Sequence, residues 1–190
     1  MRYRLDVVAS SVVDVVRFAG GWLFDRAMAG WDVTVLIADR PDDRPLQVLG
    51  AQTLDLEYAL TTEGDRPAPQ SLAVAADLFG CDSRVRQGVL QALDHGVAEV
   101  TLWGKTWPAE LDESVGLVHH QLSAAAQVFK AQALAAASVP AAAVGPTETF
   151  CSGIMASPSV APTSPRRANR RSDAHQNPSI GVTLTPTGPV

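Results

Sequence analysis

Residues Trp31–Asp39, WDVTVLIAD, form an apolar, β-branched run of strand length that ends on an acid. A run with so little polar alternation predicts a strand covered on both faces, as in a parallel sheet layered between helices. The residues before it set the connection. From Val12 the apolar positions Val12, Val13, Val15, Val16, Ala19, Trp22, Leu23 and Ala27 recur at helical spacing, with Asp14, Arg17, Gly21 and Asp25 on the opposite stripe. Gly30 stands where a C′ glycine would end that helix. Upstream, YRLDVVAS (Tyr3–Ser10) predicts a strand, with Ser10 or Ser11 as helix cap. Strand, helix and buried strand in this order make a βαβ unit.

The pattern continues downstream. LQVLGA (Leu46–Ala51) predicts a short strand; TLDLEYALTT (Thr53–Thr62) and PQSLAVAADLFG (Pro69–Gly80) predict two short helices. DSRVRQGVLQALDHG (Asp82–Gly96) predicts a helix capped by Asp82 or Ser83 and stopped by Gly96, followed by the strand VAEVTLW (Val97–Trp103). The stretch from Leu111 to Ser138 predicts one long helix. The fold class expected is α/β: a small three-layer sandwich, a mostly parallel sheet of about four strands flanked by helices, with a disordered C-terminal tail. Eight of the thirteen prolines lie from Pro140 onward, and no aromatic follows Phe150. That composition cannot bury enough apolar surface to offset ordering. Residues 1–140 are therefore expected to be a single globular domain, and 141–190 a Pro/Ser/Arg-rich linker and disordered tail.

Charge narrows the function classes. Residues 1–150 carry 11 basic against 19 acidic side chains, whereas the rest carry Arg166, Arg167, Arg170 and Arg171 against Asp173. An acidic body argues against nucleic-acid binding, which needs clustered positive charge. No apolar run is long enough to predict a membrane span, and Asp6 interrupts the only candidate signal-peptide core in MRYRLDVVAS. Cys81 and Cys151 fit neither a disulfide framework nor a zinc signature, so a reducing cytoplasm is the expected location.

Motifs with a defined chemistry are few. A dinucleotide fold places its glycines in the turn after the first strand, yet here that turn is ASSVVDVV, and Gly20 and Gly21 fall inside the predicted helix. Neither a P-loop nor HExxH nor GxSxG occurs. His119 and His120, adjacent on a predicted helix, would point about 100° apart and could not share an ion. No metal site and no cofactor are expected, and catalytic residues stay unassigned. GGWLFDRAMAGWDVTVL (Gly20–Leu36) is loosely similar to the first helix and second strand of nucleotide-sugar glycosyltransferases, where a glycine pair precedes a helix leading into G-[HW]-[DE]-V-T-V. The similarity covers under a tenth of the chain and leaves no room for a donor-binding domain, so it is read as shared packing.

Parallel sheets gather ligands at the carboxyl ends of their strands. That edge is expected to hold Ser10, Ser11, Asp39, Asp42 and Lys105 as ligand-binding residues. Trp103 and Trp107, straddling Lys105 in LWGKTWP, are expected to form a partner-binding aromatic pair. The Ala-rich SAAAQVFKAQALAAA (Ser123–Ala137) would let another helix approach closely. Two functions follow. The first is a non-catalytic module that binds a protein partner or forms a homo-oligomer. The alternative is a small-molecule domain, for a nucleotide- or sugar-like ligand or for catalysis, that uses the strand-end rim.

Overall fold

The computed structural model describes residues 2–39, 42–62, 66–94, 99–104, 115–140 and 144–153, to which the structural statements below refer. In chain order the elements are β1 Arg4–Ser11, α1 Val12–Met28, β2 Asp32–Asp39, α2 Arg44–Val48, β3 Gln52–Asp55, α3 Leu56–Thr61, β4 Ser71–Ala75, α4 Ala76–Cys81, α5 Ser83–Asp94, β5 Glu99–Trp103, β6 Val115–Gln121, α6 Ala124–Ala136 and β7 Thr147–Gly153. The strands form one seven-stranded sheet ordered β3-β2-β1-β4-β5-β7-β6. Strands β1 to β5 pair in parallel. Strand β7 runs antiparallel between β5 and β6.

Alternation along β1 sorts the two faces, because successive side chains point to opposite sides of a sheet. Leu5, Val7 and Ala9 enter one core with Val15, Val16, Ala19 and Leu23 of α1, Leu46 of α2, and Ala126 and Ala133 of α6. Val8 points to the other face, where Leu56 of α3, Phe79 of α4, and Val85 and Val89 of α5 complete a second core. Helix α1 ends as the sequence predicts: Ala29 is the C-cap and Gly30 adopts φ +86°, a left-handed conformation that glycine takes without a Cβ penalty.

The α/β class and the flanking helices stand, but the sheet is larger than about four strands and mixed. Four expectations change for physical reasons. SLAVA (Ser71–Ala75), read as helix from its alanines, is β4, paired on both sides by β1 and β5; its small residues suit a strand pressed between two layers. The predicted long helix is two elements, since VGLVHHQ is strand β6 and the helix begins only after Ser123, whose Oγ accepts the Ala126 N–H at 3.0 Å. Thr147–Gly153, inside the expected linker, is the interior strand β7, with Phe150 and Cys151 buried. The globular fold therefore extends beyond 140. The chain divides at Ser157, and Pro158–Val190, with the expected disordered tail, lies outside the described residues. LQVLGA is not a strand either: Arg44–Val48 is the short helix α2, and β3 starts at Gln52. No described helix is long and apolar enough to cross a membrane.

Candidate functional site

The order β3-β2-β1-β4-β5 contains a reversal. From β1 the chain crosses by α1 over one face toward β2 and β3; from β3 it returns by α3 over the other face to β4. The carboxyl ends of β1 and β4 thus send their chains to opposite faces, and a crevice opens between them, the usual ligand position in open α/β sheets. Ser10 and Ser11 end β1, and Asp77 opens α4 directly after β4. Across the crevice Ser10 Oγ donates to Asp77 Oδ2 at 3.2 Å. Ser11 is the N-cap of α1 with extended φ −139°, yet its hydroxyl accepts no capping bond. Asp39 ends β2 in register with Ser11, and Asp14 lies in the first turn of α1, 4.0 Å from Arg17. These residues make an acidic, hydroxyl-bearing rim over the positive end of α1.

Two expected rim residues have other placements. Asp42 is committed to Arg44, whose Nε and Nη2 donate to its carboxylate at 2.9 and 2.6 Å and hold its pKa below the usual aspartate value. Lys105 lies outside the described residues. Trp107 does too. Trp103 is 1% exposed at the end of β5, with its ring 6.5 Å from that of Phe18, so it is a core residue and not part of an interface. Asp77 was missed by sequence reasoning because SLAVA was read as helix; as a strand, it would have placed the following Asp77 on the same edge as Ser10.

Elsewhere, polar side chains act as fasteners. Glu148, on β7, accepts the N–H groups of Gly21 (3.0 Å) and Trp22 (2.8 Å) from within α1 and pairs with Lys130 Nζ of α6 at 2.6 Å. Glu148 and Lys130 side chains are 2% and 8% exposed. Asp25 of α1 accepts Ser123 Oγ at 2.6 Å and lies 2.9 Å from His120 Nε2. Burial works to raise the Asp25 pKa, but the Ser123 and His120 contacts outweigh it and hold the pKa below its ordinary value. His119 and His120 alternate on strand β6 rather than on a helix: His119 Nδ1 meets Thr149 Oγ1 at 3.1 Å, while His120 turns toward Asp25. Both histidines therefore belong to the antiparallel edge of the sheet. The residues of the β1–α1 turn are two hydroxyls and one carboxylate, Ser10, Ser11 and Asp14, and the described residues contain no group of three His, Cys, Asp or Glu placed to hold a metal ion.

Solved structures share this architecture. At 16% identity, a triple mutant of a deacetylase involved in the teicoplanin biosynthetic pathway matches 82% of this chain and 100% of its own, with a TM-score of 0.56. The A40926 pseudoaglycone deacetylase matches 82% and 98%, with 16% identity and a TM-score of 0.53. The zinc-inhibited form of the teicoplanin deacetylase matches 82% and 100%, with 14% identity and a TM-score of 0.54.

The chain shares the fold of these structures.

No family model matches it, and no curated protein matches its sequence. The expected partner-binding module, and with it the expected protein partner or homo-oligomer, is corrected by these findings. The structures that share this fold are described as deacetylases. In this chain Trp103 is buried, and α6 spends its small-residue face on α1 and α2 of its own chain, with Ala126, Ala133 and Leu134 covered.

Proposed function

We propose that the chain is a small-molecule-binding α/β domain whose ligand, a sugar-like polyol or amino sugar, sits in the crevice between the carboxyl ends of β1 and β4. The observation carrying this reading is the Ser10–Asp77 hydrogen bond across the topological switch point. Donating its proton to Asp77 leaves the Ser10 oxygen free to accept a ligand hydroxyl or amine, and the second Asp77 oxygen accepts another. Ser11 and Asp39, paired in register, extend the same surface. Charge selects the ligand class: Asp14, Asp39 and Asp77 repel phosphate and attract hydroxyl and ammonium donors. Deacetylases of teicoplanin biosynthesis, whose fold this is, support a sugar-like ligand over a nucleotide. The exposed thiol of Cys81, which is in no disulfide, supports a reducing compartment.

A thermal-shift series on the full chain with glucosamine, N-acetylglucosamine and uridine diphosphate tests the reading. Either sugar should stabilise the fold by about 2.7 kcal/mol at a hundredfold excess over its dissociation constant. Asp77→Ala should abolish the effect, and the diphosphate should give none. Stabilisation by the diphosphate alone would refute the sugar-like assignment.

A further inference from the structure

On the face covered by α3 and α5 lies a cavity of about 480 Å3 whose lining includes none of Ser10, Ser11, Asp39 and Asp77. That volume lies in the range of small-molecule pockets. Its walls are mostly aliphatic, with Val8, Leu60, Leu72, Val89 and Ala92 among them; Arg84 at its border is paired with Glu57 and Asp82, and one buried acid lines it from β1. Asp6 has a side chain only 8% exposed. Its Oδ1 receives Arg66 Nη2 at 3.0 Å, while no donor from the described residues reaches Oδ2. Burial raises the Asp6 pKa in spite of Arg66 and Arg4 nearby. A carboxylate in such a place is costly unless its remaining lone pairs are used. The residues in register with Asp6 carry no charge, Leu72 on β4 and Thr34 on β2, so neither neighbouring strand supplies it with an ionic partner.

We infer that this cavity is a second ligand site, for an amphipathic molecule with an aliphatic body and a neutral hydrogen-bonding head such as a primary amide. The aliphatic body matches the walls. At the head, Asp6 Oδ2 accepts an N–H and the spare Arg66 N–H groups donate to a carbonyl, so the pair offers one acceptor and one donor side by side. Asp6 and Arg66 neutralise each other, and either charge on the head would therefore meet a like charge in the pair. A carboxylate head faces Asp6; an ammonium head faces Arg66.

The test titrates the full chain with octanamide, octanoate and octylammonium, following Tm and calorimetric affinity. Octanamide should raise Tm, and both charged congeners should bind at least about tenfold more weakly, the effect of one unpaired buried charge. Ala92→Phe, which fills the wall on α5, should remove octanamide binding. Asp6→Asn should reverse the head-group preference toward octanoate, because Arg66 then lacks its anion. The inference is overturned if octanamide leaves the wild type unchanged, if Ala92→Phe binds it equally well, or if the charged congeners bind as tightly. Should Asp6→Asn fail to fold, the head-group series on the wild type and the Ala92→Phe result still decide. The crevice proposed for sugars shares no lining residue among Ser10, Ser11, Asp39 and Asp77 with this cavity, so the two sites succeed or fail separately.

Discussion

At the scale of single residues, Gly20 and Gly21 show how one motif can carry two roles. A Cβ on Gly21 would lie 2.5 Å from both methyls of Leu122, which is itself buried, whereas the nearest atom to one on Gly20 would be Leu49 Cδ1 at 3.3 Å. Gly21→Ala should therefore destabilise the fold by about 1–3 kcal/mol through overpacking. Gly20→Ala should stay within about 1 kcal/mol of wild type, since its helix-propensity gain offsets the milder contact. Urea unfolding of both variants checks the difference, and equal losses would contradict it. Glu148→Ala leaves Lys130 as a buried, unpaired cation and strips two α1 N–H groups of their acceptor. Its expected loss is about 3–5 kcal/mol. A loss below about 1 kcal/mol in the same unfolding assay would show that the fastener is not structural. The sequence places the glycine pair inside a helix, as the structure does. It does not disclose Glu148, because the acid arrives from a strand more than a hundred residues away and no local pattern links the two.

Among the elements, two carboxylates give opposite pH signatures. Asp25 ties α1 to the start of α6, and its folded pKa lies below the ordinary 3.8, so its stabilising contribution is present above that value and is lost as pH falls through the folded one. Asp6, on the central strand, has a folded pKa raised above 3.8 by burial; its stabilising term is present below 3.8 and is lost as pH rises through the folded value. Relative to wild type, Asp6→Asn should therefore gain stability as pH rises from 3 to 7, while Asp25→Asn should lose it. Parallel slopes in unfolding free energy against pH would contradict this assignment. Element reading from sequence succeeds for β1, α1 and β2, where helical and continuous apolar patterns are long. It fails at β4, α2 and β6, each of five to seven residues. In segments that short, composition outweighs period: alanine mimics helix in SLAVA, and Leu-Gln-Val mimics strand in α2. Pairing to β1 and β5 resolves β4, and pairing to β7 resolves β6.

For the whole molecule, the reversal at β1 and β4 opens the crevice proposed for the ligand, and the acidic rim is the basis for the ligand class proposed. The sequence puts Ser10, Ser11 and Asp39 at the strand ends that form this edge but omits Asp77, since one misread strand hides half of the switch point. It also draws the domain boundary too early, because proline-rich composition obscures the seven residues of β7. That strand closes the antiparallel half of the sheet and carries Glu148. Truncation before Thr147 should consequently abolish cooperative unfolding, whereas truncation after Ser157 should leave Tm unchanged; circular-dichroism melts of both chains distinguish the outcomes. The central claim is ligand binding in the crevice, and amide chemical-shift mapping of the full chain titrated with glucosamine tests it most directly. The account predicts saturable shifts concentrated at Ser10, Ser11, Asp39 and Asp77 that vanish in Asp77→Ala. Saturable shifts that avoid these four residues, or no shifts at any sugar concentration, would contradict it.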